Sequence, residues 1–235
     1  MDTYEQRRLA IRVGAGAAMA GAVLGTVVNM AHGDLPEDPE AALTKVAQGS
    51  HWGLLHLCII TTVVLLLVAL LGLSQAATGS TAMVLCRGAA ALALPGAAVS
   101  ICVTSIDGFA TKAMADAWAA GDPATDFGTA VAVETVQNAL FQAEAAFFFG
   151  LPILLIGLAA QLPNAGLPRR VGWLAVVGGG GALVFGTTGL AGADVPGLLF
   201  NGFAALITAW ALATGILMWR QTAGHPDQAL QRTAA

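Results

Sequence analysis

The chain has 235 residues, of which 57% are hydrophobic and 10% are charged, and its formal net charge at pH 7 is −4. Soluble domains carry about 25% charged residues, so this composition excludes a surface that faces water throughout and predicts one covered by lipid. The acidic balance also excludes the basic face on which nucleic-acid binding depends.

Six apolar runs are long enough to cross a bilayer, because a helical span needs roughly 20 consecutive, mostly apolar residues. They occupy residues about 10–31, 52–74, 84–106, 135–160, 170–190 and 196–219. No long polar segment separates these runs. We therefore expect an all-α integral membrane protein with a single domain, residues 1–235, built as a bundle of six transmembrane helices.

The arginines predict the orientation of this bundle, because positive charges concentrate on the cytoplasmic side of membrane proteins. The other side of a six-span arrangement has only Lys45 and Lys112 as cations, and its loops are acidic. We expect both termini in the cytoplasm and the acidic loops outside, in the cytoplasmic membrane of a bacterium. All eight arginines fall on the cytoplasmic side: Arg7, Arg8, Arg12, Arg87, Arg169, Arg170, Arg220 and Arg232.

The first outer loop, residues 32–49, predicts a short helix that lies on the membrane surface. Asp38 suits an N-cap, Pro39 suits the first turn, and Glu40 complements the helix dipole. Gly49 is expected to end the helix. The loop also contains Asp34 and Glu37, and one apolar face is formed by Ala42, Leu43, Val46 and Ala47.

The second outer connection, residues 107–127, predicts helix outside the bilayer. Residues 109–120 are rich in helix formers, and Lys112 and Asp116 are spaced to pair along a helix. We expect the third span to continue outward and the fourth to begin near Asp126, so that both extend outside the bilayer.

Small residues and prolines predict how the spans pack. The first span has a stripe of small residues that allows another helix to approach closely. Pro95 and Pro152 are expected to kink the third and fourth spans. The stripe consists of Gly14, Ala18, Gly21 and Gly25.

Every span has one polar residue 17–20 residues from its inner end, roughly 25–30 Å along the helix axis. This depth is the outer boundary of the hydrocarbon core, where polar side chains also occur simply because helix ends meet headgroups. The layer consists of Asn29, His56, Asp107, Glu144, Thr187 and Asn201.

The fourth span has a polar face that lipid cannot cover. Its polar side chains fall within a sector of about 160° at 100° per residue, and residues 145–160 are apolar. The face must line an enclosed or watery cavity or pair with partner side chains, and a purely structural hydrogen-bond network is the alternative. Its polar residues are Glu134, Gln137, Asn138, Gln142 and Glu144.

The histidines add candidate ligands at the same depth. His51 and His56 are five residues apart, about 140° around a helix, so one is expected to face the bundle and the other the surface helix or water. A site of His56, Asp107 and Glu144, with His51, His32 or Glu134 nearby, suits a divalent metal, acid–base chemistry, or a bound cation or proton.

Two cofactors are disfavoured. A haem with two histidine ligands needs two deep histidines, and only His56 lies deep enough. Retinal needs a lysine within a span, and Lys112 lies outside. The sequence also contains no GxSxG, HExxH or P-loop motif.

Short stretches resemble multi-spanning membrane protein families of actinobacteria that have no established activity. Residues 167–174 are similar to an LPRWLGWL entry to a late span. The first outer loop, with Asn29, His32, Trp52 and His56, and residues 106–109 with Trp118, are similar too. The resemblance implies a multi-spanning architecture and no particular activity.

We expect a polar pocket near the outer leaflet that binds or moves a small molecule, lipid headgroup, metal ion or proton. An embedded enzyme with carboxylate and histidine chemistry, metal-assisted or not, is the first alternative. An accessory subunit that docks a partner's helix is the second, and homo-oligomers are compatible with all three. The expected ligand-binding residues are His56, Asp107, Glu134, Glu144, Asn29, Gln137, Asn138 and Asn201; a metal would use His51, His56, Asp107 and Glu144.

Overall fold

The computed structural model describes residues 3–33, 35–36, 38–121, 127–193 and 195–223, and every regular element within these ranges is helical. A 3-10 turn covers Ser74–Ala76, and two π-helical turns cover Ile106–Thr111 and Ala145–Gly150. The α-helices are α1 Thr3–His32, α2 Pro39–Gln48, α3 Trp52–Leu73, α4 Ser80–Ser105, α5 Lys112–Ala119, α6 Phe127–Glu144, α7 Leu151–Gln161, α8 Arg169–Leu190 and α9 Gly197–Ala223.

Six helical stretches in the described part of the chain are long and apolar enough to cross a membrane, which confirms the predicted multi-pass, all-helical class. Large apolar side chains such as Met30 and Leu198 are 79% and 80% exposed, as expected of a surface that contacts lipid. The stretches are Thr3–His32, Trp52–Ala76, Ser80–Ala119, Phe127–Gln161, Arg169–Leu190 and Gly197–Ala223.

The third and fourth stretches are longer than the apolar runs that predicted them. Helix continues from α4 through the first π-helical turn into α5, and α6 begins at Phe127, directly after the predicted start at Asp126. Asp126 itself lies outside the described residues. Lys112 pairs with Asp116 at 2.5 Å, as the spacing predicted, and its Nζ also contacts the Ala47 carbonyl of α2.

The six stretches form a ring in which chain neighbours are also spatial neighbours. Helix α1 packs on α3, α3 on α4, α4 on α7, α7 on α8 and α8 on α9, and α9 closes the ring against α1. The core contains Trp210, Phe148 and Ile153, each at most 2% exposed.

The predicted small-residue stripe of α1 lies on α3. A Cβ added to Gly72 would lie 2.6 Å from the Gly14 Cα, so the two backbones touch at this crossing. Gly21 and Gly25 continue the contact toward Leu65 and Thr62. This close approach is what small residues allow in a membrane, where the hydrophobic effect does not drive helices together.

The two prolines that were predicted to kink the third and fourth spans differ in their helical surroundings. Pro152 is the second residue of α7 and directly follows the second π-helical turn, so regular α-helical hydrogen bonding is interrupted there. Pro95 lies inside α4, which remains α-helical from Ser80 to Ser105. The kink predicted at Pro95 stays a prediction.

One end of the bundle carries the described arginines. Arg7 donates to the Gln75 and Ala76 carbonyls after α3, and Arg8 donates to the Thr222 carbonyl of α9. The beginning of α1 and the ends of α3 and α9 therefore meet. Arg232 lies outside the described residues.

The short helix predicted between the first two spans is present as α2. The Asp38 carboxylate accepts from the Ala41 amide at 2.9 Å, and Gly49 follows the last residue of the helix. Leu43 and Val46 are buried in a small cluster with Trp52, Ala115 and Ala130. Asp34 and Glu37 of the same loop lie outside the described residues.

Candidate metal centre

Three side chains from three helical elements meet at the end of the bundle opposite the arginines. His32 is the last residue of α1, His56 lies in the second turn of α3, and Asp107 lies in the first π-helical turn. The Nε2 atoms of His56 and His32 are 3.1 and 3.7 Å from Asp107 Oδ2. One potential ligand atom from each residue lies within 4.8 Å of the other two, so together they could hold one metal ion.

Burial differs among the three groups. The side chain of His56 is 1% exposed, whereas those of Asp107 and His32 are 18% and 22% exposed. The group is therefore closed on the His56 side and reachable from the other.

Hydrogen bonds to backbone carbonyls fix the orientation of both imidazoles. His56 Nδ1 is 2.8 Å from the Trp52 carbonyl, and His32 Nδ1 is 2.8 Å from the Gly33 carbonyl. A carbonyl oxygen only accepts hydrogen bonds, so each Nδ1 must carry the proton. In a neutral ring, Nε2 is then an acceptor, and both Nε2 atoms face the Asp107 carboxylate.

This arrangement points acceptors at one another. The 3.1 Å contact between His56 Nε2 and Asp107 Oδ2 does not have hydrogen-bond geometry, and His56 Nε2 and Asp107 Oδ1 are buried without a hydrogen-bond partner in the described part of the chain. Buried polar atoms without partners are costly, and a cation or additional protons between them would satisfy these atoms.

Trp52 packs against the His32–His56–Asp107 group. Its ring centroid is 4.8 Å from those of both His32 and His56, and its Nε1 donates to the Asp107 backbone carbonyl at 3.1 Å. One side chain thus contacts all three residues. Trp52 and His56 are four residues apart, which places them on the same face of α3.

The π-helical turn and Gly108 bring Asp107 close to α3. A Cβ at Gly108 would overlap the Cβ and Cγ atoms of His56, so only glycine allows this approach. Such π-helical turns occur frequently at functional sites, because the extra residue re-aims the side chains around it.

Glu144, predicted at the same site, belongs to a separate buried pair. It is the last residue of α6 and is 6% exposed, and the Ser100 hydroxyl of α4 donates to its Oε1. It is not part of the His32–His56–Asp107 group. Asp107 and Glu144 nevertheless both lie at a π-helical turn, since Ala145 begins the second one.

A groove of about 290 Å³ lies beside the His32–His56–Asp107 group and is lined by four of the predicted residues. Apolar residues of α2 form one wall, including Leu43 and Val46. Asp107 belongs to both the groove and the His32–His56–Asp107 group, so the two adjoin. The predicted residues that line the groove are Asp107, Glu134, Gln137 and Asn138.

The remaining predicted residues lie elsewhere. His51 precedes α3 and is exposed, while His56 faces the bundle, which confirms that the two point in different directions. Asn29 and Asn201 were expected among the ligand-binding residues. Both residues are exposed, and neither lines the groove.

Sequence reasoning missed several contributors. His32 was considered only as a neighbour of the site, yet it offers one of the three potential ligand atoms. Trp52, Gly108 and Ser100 were not predicted as site residues. The i,i+4 spacing of Trp52 and His56 was a usable signal, whereas nothing local indicated Ser100.

The fold and this group of side chains define a multi-pass membrane protein with a candidate metal centre at one end of its helical ring. No known protein family, no curated protein and no solved structure matches the chain.

Proposed function

We propose that this protein binds a divalent transition metal, such as Zn²⁺, through His32, His56 and Asp107, within a pocket that takes up a small ligand from the outer face of the membrane. The observation that carries the proposal is the pair of Nε2 acceptors that face a carboxylate while both Nδ1 atoms are held by carbonyls. A bound metal relieves this clustering of acceptors.

The ligand set favours a metal over protons alone. Two imidazoles and a carboxylate are the usual donors for zinc and for iron. Metal-binding histidines commonly donate the other ring N–H to a carbonyl or carboxylate, as His32 and His56 do. Protonated histidines paired with Asp107 are the competing occupancy.

The adjoining groove supports a role in binding or moving a ligand. Asp107 lines both spaces, so a molecule in the groove would lie next to the metal. One wall is apolar and the opposite wall has Glu134, Gln137 and Asn138. A small molecule or lipid headgroup with both apolar and hydrogen-bonding parts fits this lining.

The arginines support placing the metal centre on the outer side of a bacterial cytoplasmic membrane. Positive residues favour the cytoplasmic side, and the described arginines lie at the opposite end of the bundle. Both termini would then be cytoplasmic. α5 and the first part of α6 would project outside the bilayer, with α2 lying on its surface.

Metal titration of the purified protein tests the proposal. Protein stripped with a chelator in mild detergent is expected to bind one Zn²⁺ per chain in native mass spectra. Excess Mg²⁺ should not displace it, because Mg²⁺ prefers oxygen ligands. A protein that retains no metal at equimolar Zn²⁺ would contradict the proposal and leave protons as the occupants.

An embedded metalloenzyme is the second candidate function. Three protein ligands leave a coordination position open, as in catalytic zinc sites, and here that position would adjoin a groove of about 290 Å³. The open position distinguishes a catalytic metal from a closed structural one.

A spectroscopic experiment tests for that open position. In the Co²⁺-substituted protein, azide is expected to shift the visible absorption bands, because it would enter the free coordination position. Gln137→Leu, which changes the groove and none of the three ligands, should leave the metal content unchanged. Bands that azide does not move at saturating concentration would argue against catalysis at the metal.

A further inference from the structure

A second groove lies at the arginine-bearing end of the bundle and shares no residue with the metal centre. It has a volume of about 950 Å³ and runs over α3, between α1 and α4. The same helices that hold His32 and His56 at one end therefore enclose a separate space at the other.

The lining of this groove includes two arginines and several exposed apolar side chains. Arg7 and Arg87 line it, and no aspartate or glutamate among the described residues does. Leu9, Val13 and Leu71 are 53%, 52% and 38% exposed and face the groove. The groove thus combines two arginines with an apolar surface.

Both arginines keep N–H groups that no described residue uses. Arg7 uses its Nε and one Nη atom on the Gln75 and Ala76 carbonyls, at 2.6 and 2.7 Å, which fixes the guanidinium at the groove. Arg87 is exposed and forms no hydrogen bond or ion pair with the described residues. Guanidinium groups match the geometry of phosphate oxygens.

We propose that this groove binds an anionic phospholipid, with the phosphate on Arg7 and Arg87 and the acyl chains along Leu9, Val13 and Leu71. Basic pockets between transmembrane helices on the cytoplasmic side are suited to anionic headgroups. The proposal does not depend on the metal centre.

The chemistry of the groove favours a lipid over its alternatives. A free phosphate would leave the apolar side chains of the groove uncovered. A helix from another subunit would bury both arginines and would need acidic residues to compensate them. An anionic lipid satisfies both parts of the groove at once.

Arg87→Gln is the variant that tests this site, because Arg87 has no role in the described packing. Native mass spectra of the protein with equal amounts of phosphatidylglycerol and phosphatidylcholine should show preferential binding of phosphatidylglycerol. The preference is expected to fall about fivefold in the variant, since each arginine near a membrane surface contributes on that order to anionic-lipid binding.

Arg170→Gln is the matched control. Arg170 is also exposed and lies at the same end of the bundle, but it does not line the groove. Its loss removes the same charge and should leave the preference unchanged. Unfolding temperatures of both variants without added lipid should equal that of the unmodified protein.

Three results would overturn the proposal. The unmodified protein could bind both lipids equally, or Arg170→Gln could reduce the preference as much as Arg87→Gln. Glycerol 1-phosphate at millimolar concentration could also displace the bound phosphatidylglycerol, which would show a site for free phosphate. None of these results would bear on zinc binding at His32, His56 and Asp107.

Discussion

Replacing His56 with alanine is expected to weaken zinc binding more than about 100-fold. Loss of a hydrogen-bond partner of a metal ligand alone costs roughly 10–100-fold in affinity, so loss of the ligand itself should cost more. His56 is also the most buried of the three ligands, which leaves water little room to replace it. Competition with a chromophoric chelator measures the affinity.

His51→Ala provides the matched control for this measurement. His51 is five residues away and exposed, and it is not part of the group. Asp107→Asn adds a second test, because it keeps the shape of the side chain and removes the charge. Zinc affinity that falls equally in His51→Ala and His56→Ala, or that survives in both His56→Ala and Asp107→Asn, would rule out this centre.

Replacing Ser100 with alanine is expected to lower the free energy of unfolding by about 1–3 kcal/mol, because it removes the hydroxyl that donates to buried Glu144. Ser100 is 0% exposed, so water cannot replace the lost donor easily. Unfolding in mixed micelles by increasing dodecyl sulfate measures the change.

Ser105→Ala is the control, since Ser105 lies on the same helix without a side-chain hydrogen bond among the described residues. In a Glu144→Leu background, Ser100→Ala should cost much less, because the acceptor is gone. Equal costs for the two serines, or the same cost for Ser100→Ala in both backgrounds, would exclude an energetic role for the pair.

Together the two predictions test whether Asp107 and Glu144 have separate roles. If Glu144→Gln retains zinc while Asp107→Asn loses it, the metal centre and the Ser100–Glu144 pair act independently. That outcome fits the geometry, in which Asp107 faces two histidines and Glu144 faces a hydroxyl. Glu144 would then contribute to the stability of the bundle or to a step apart from metal binding.

Local sequence determined the helices of this protein. Six apolar runs of sufficient length predicted all six spanning stretches, because exposed backbone polar groups are too costly in lipid and each span must be helical. Asp38, Pro39 and Gly49 predicted α2 because caps act within a few residues. The spacing of His51 and His56 predicted their different directions because helical geometry is fixed.

Only the tertiary structure decided which polar residues meet. Depth along each span placed His56, Asp107 and Glu144 at one level, but the rotation of each helix about its axis depends on its neighbours. The π-helical turns changed that rotation at Asp107 and after Glu144, and the Gly108 contact brought Asp107 to His56 and His32. Packing between helices, which the pattern of one helix does not encode, therefore brought His32, His56 and Asp107 together and left Glu144 with Ser100.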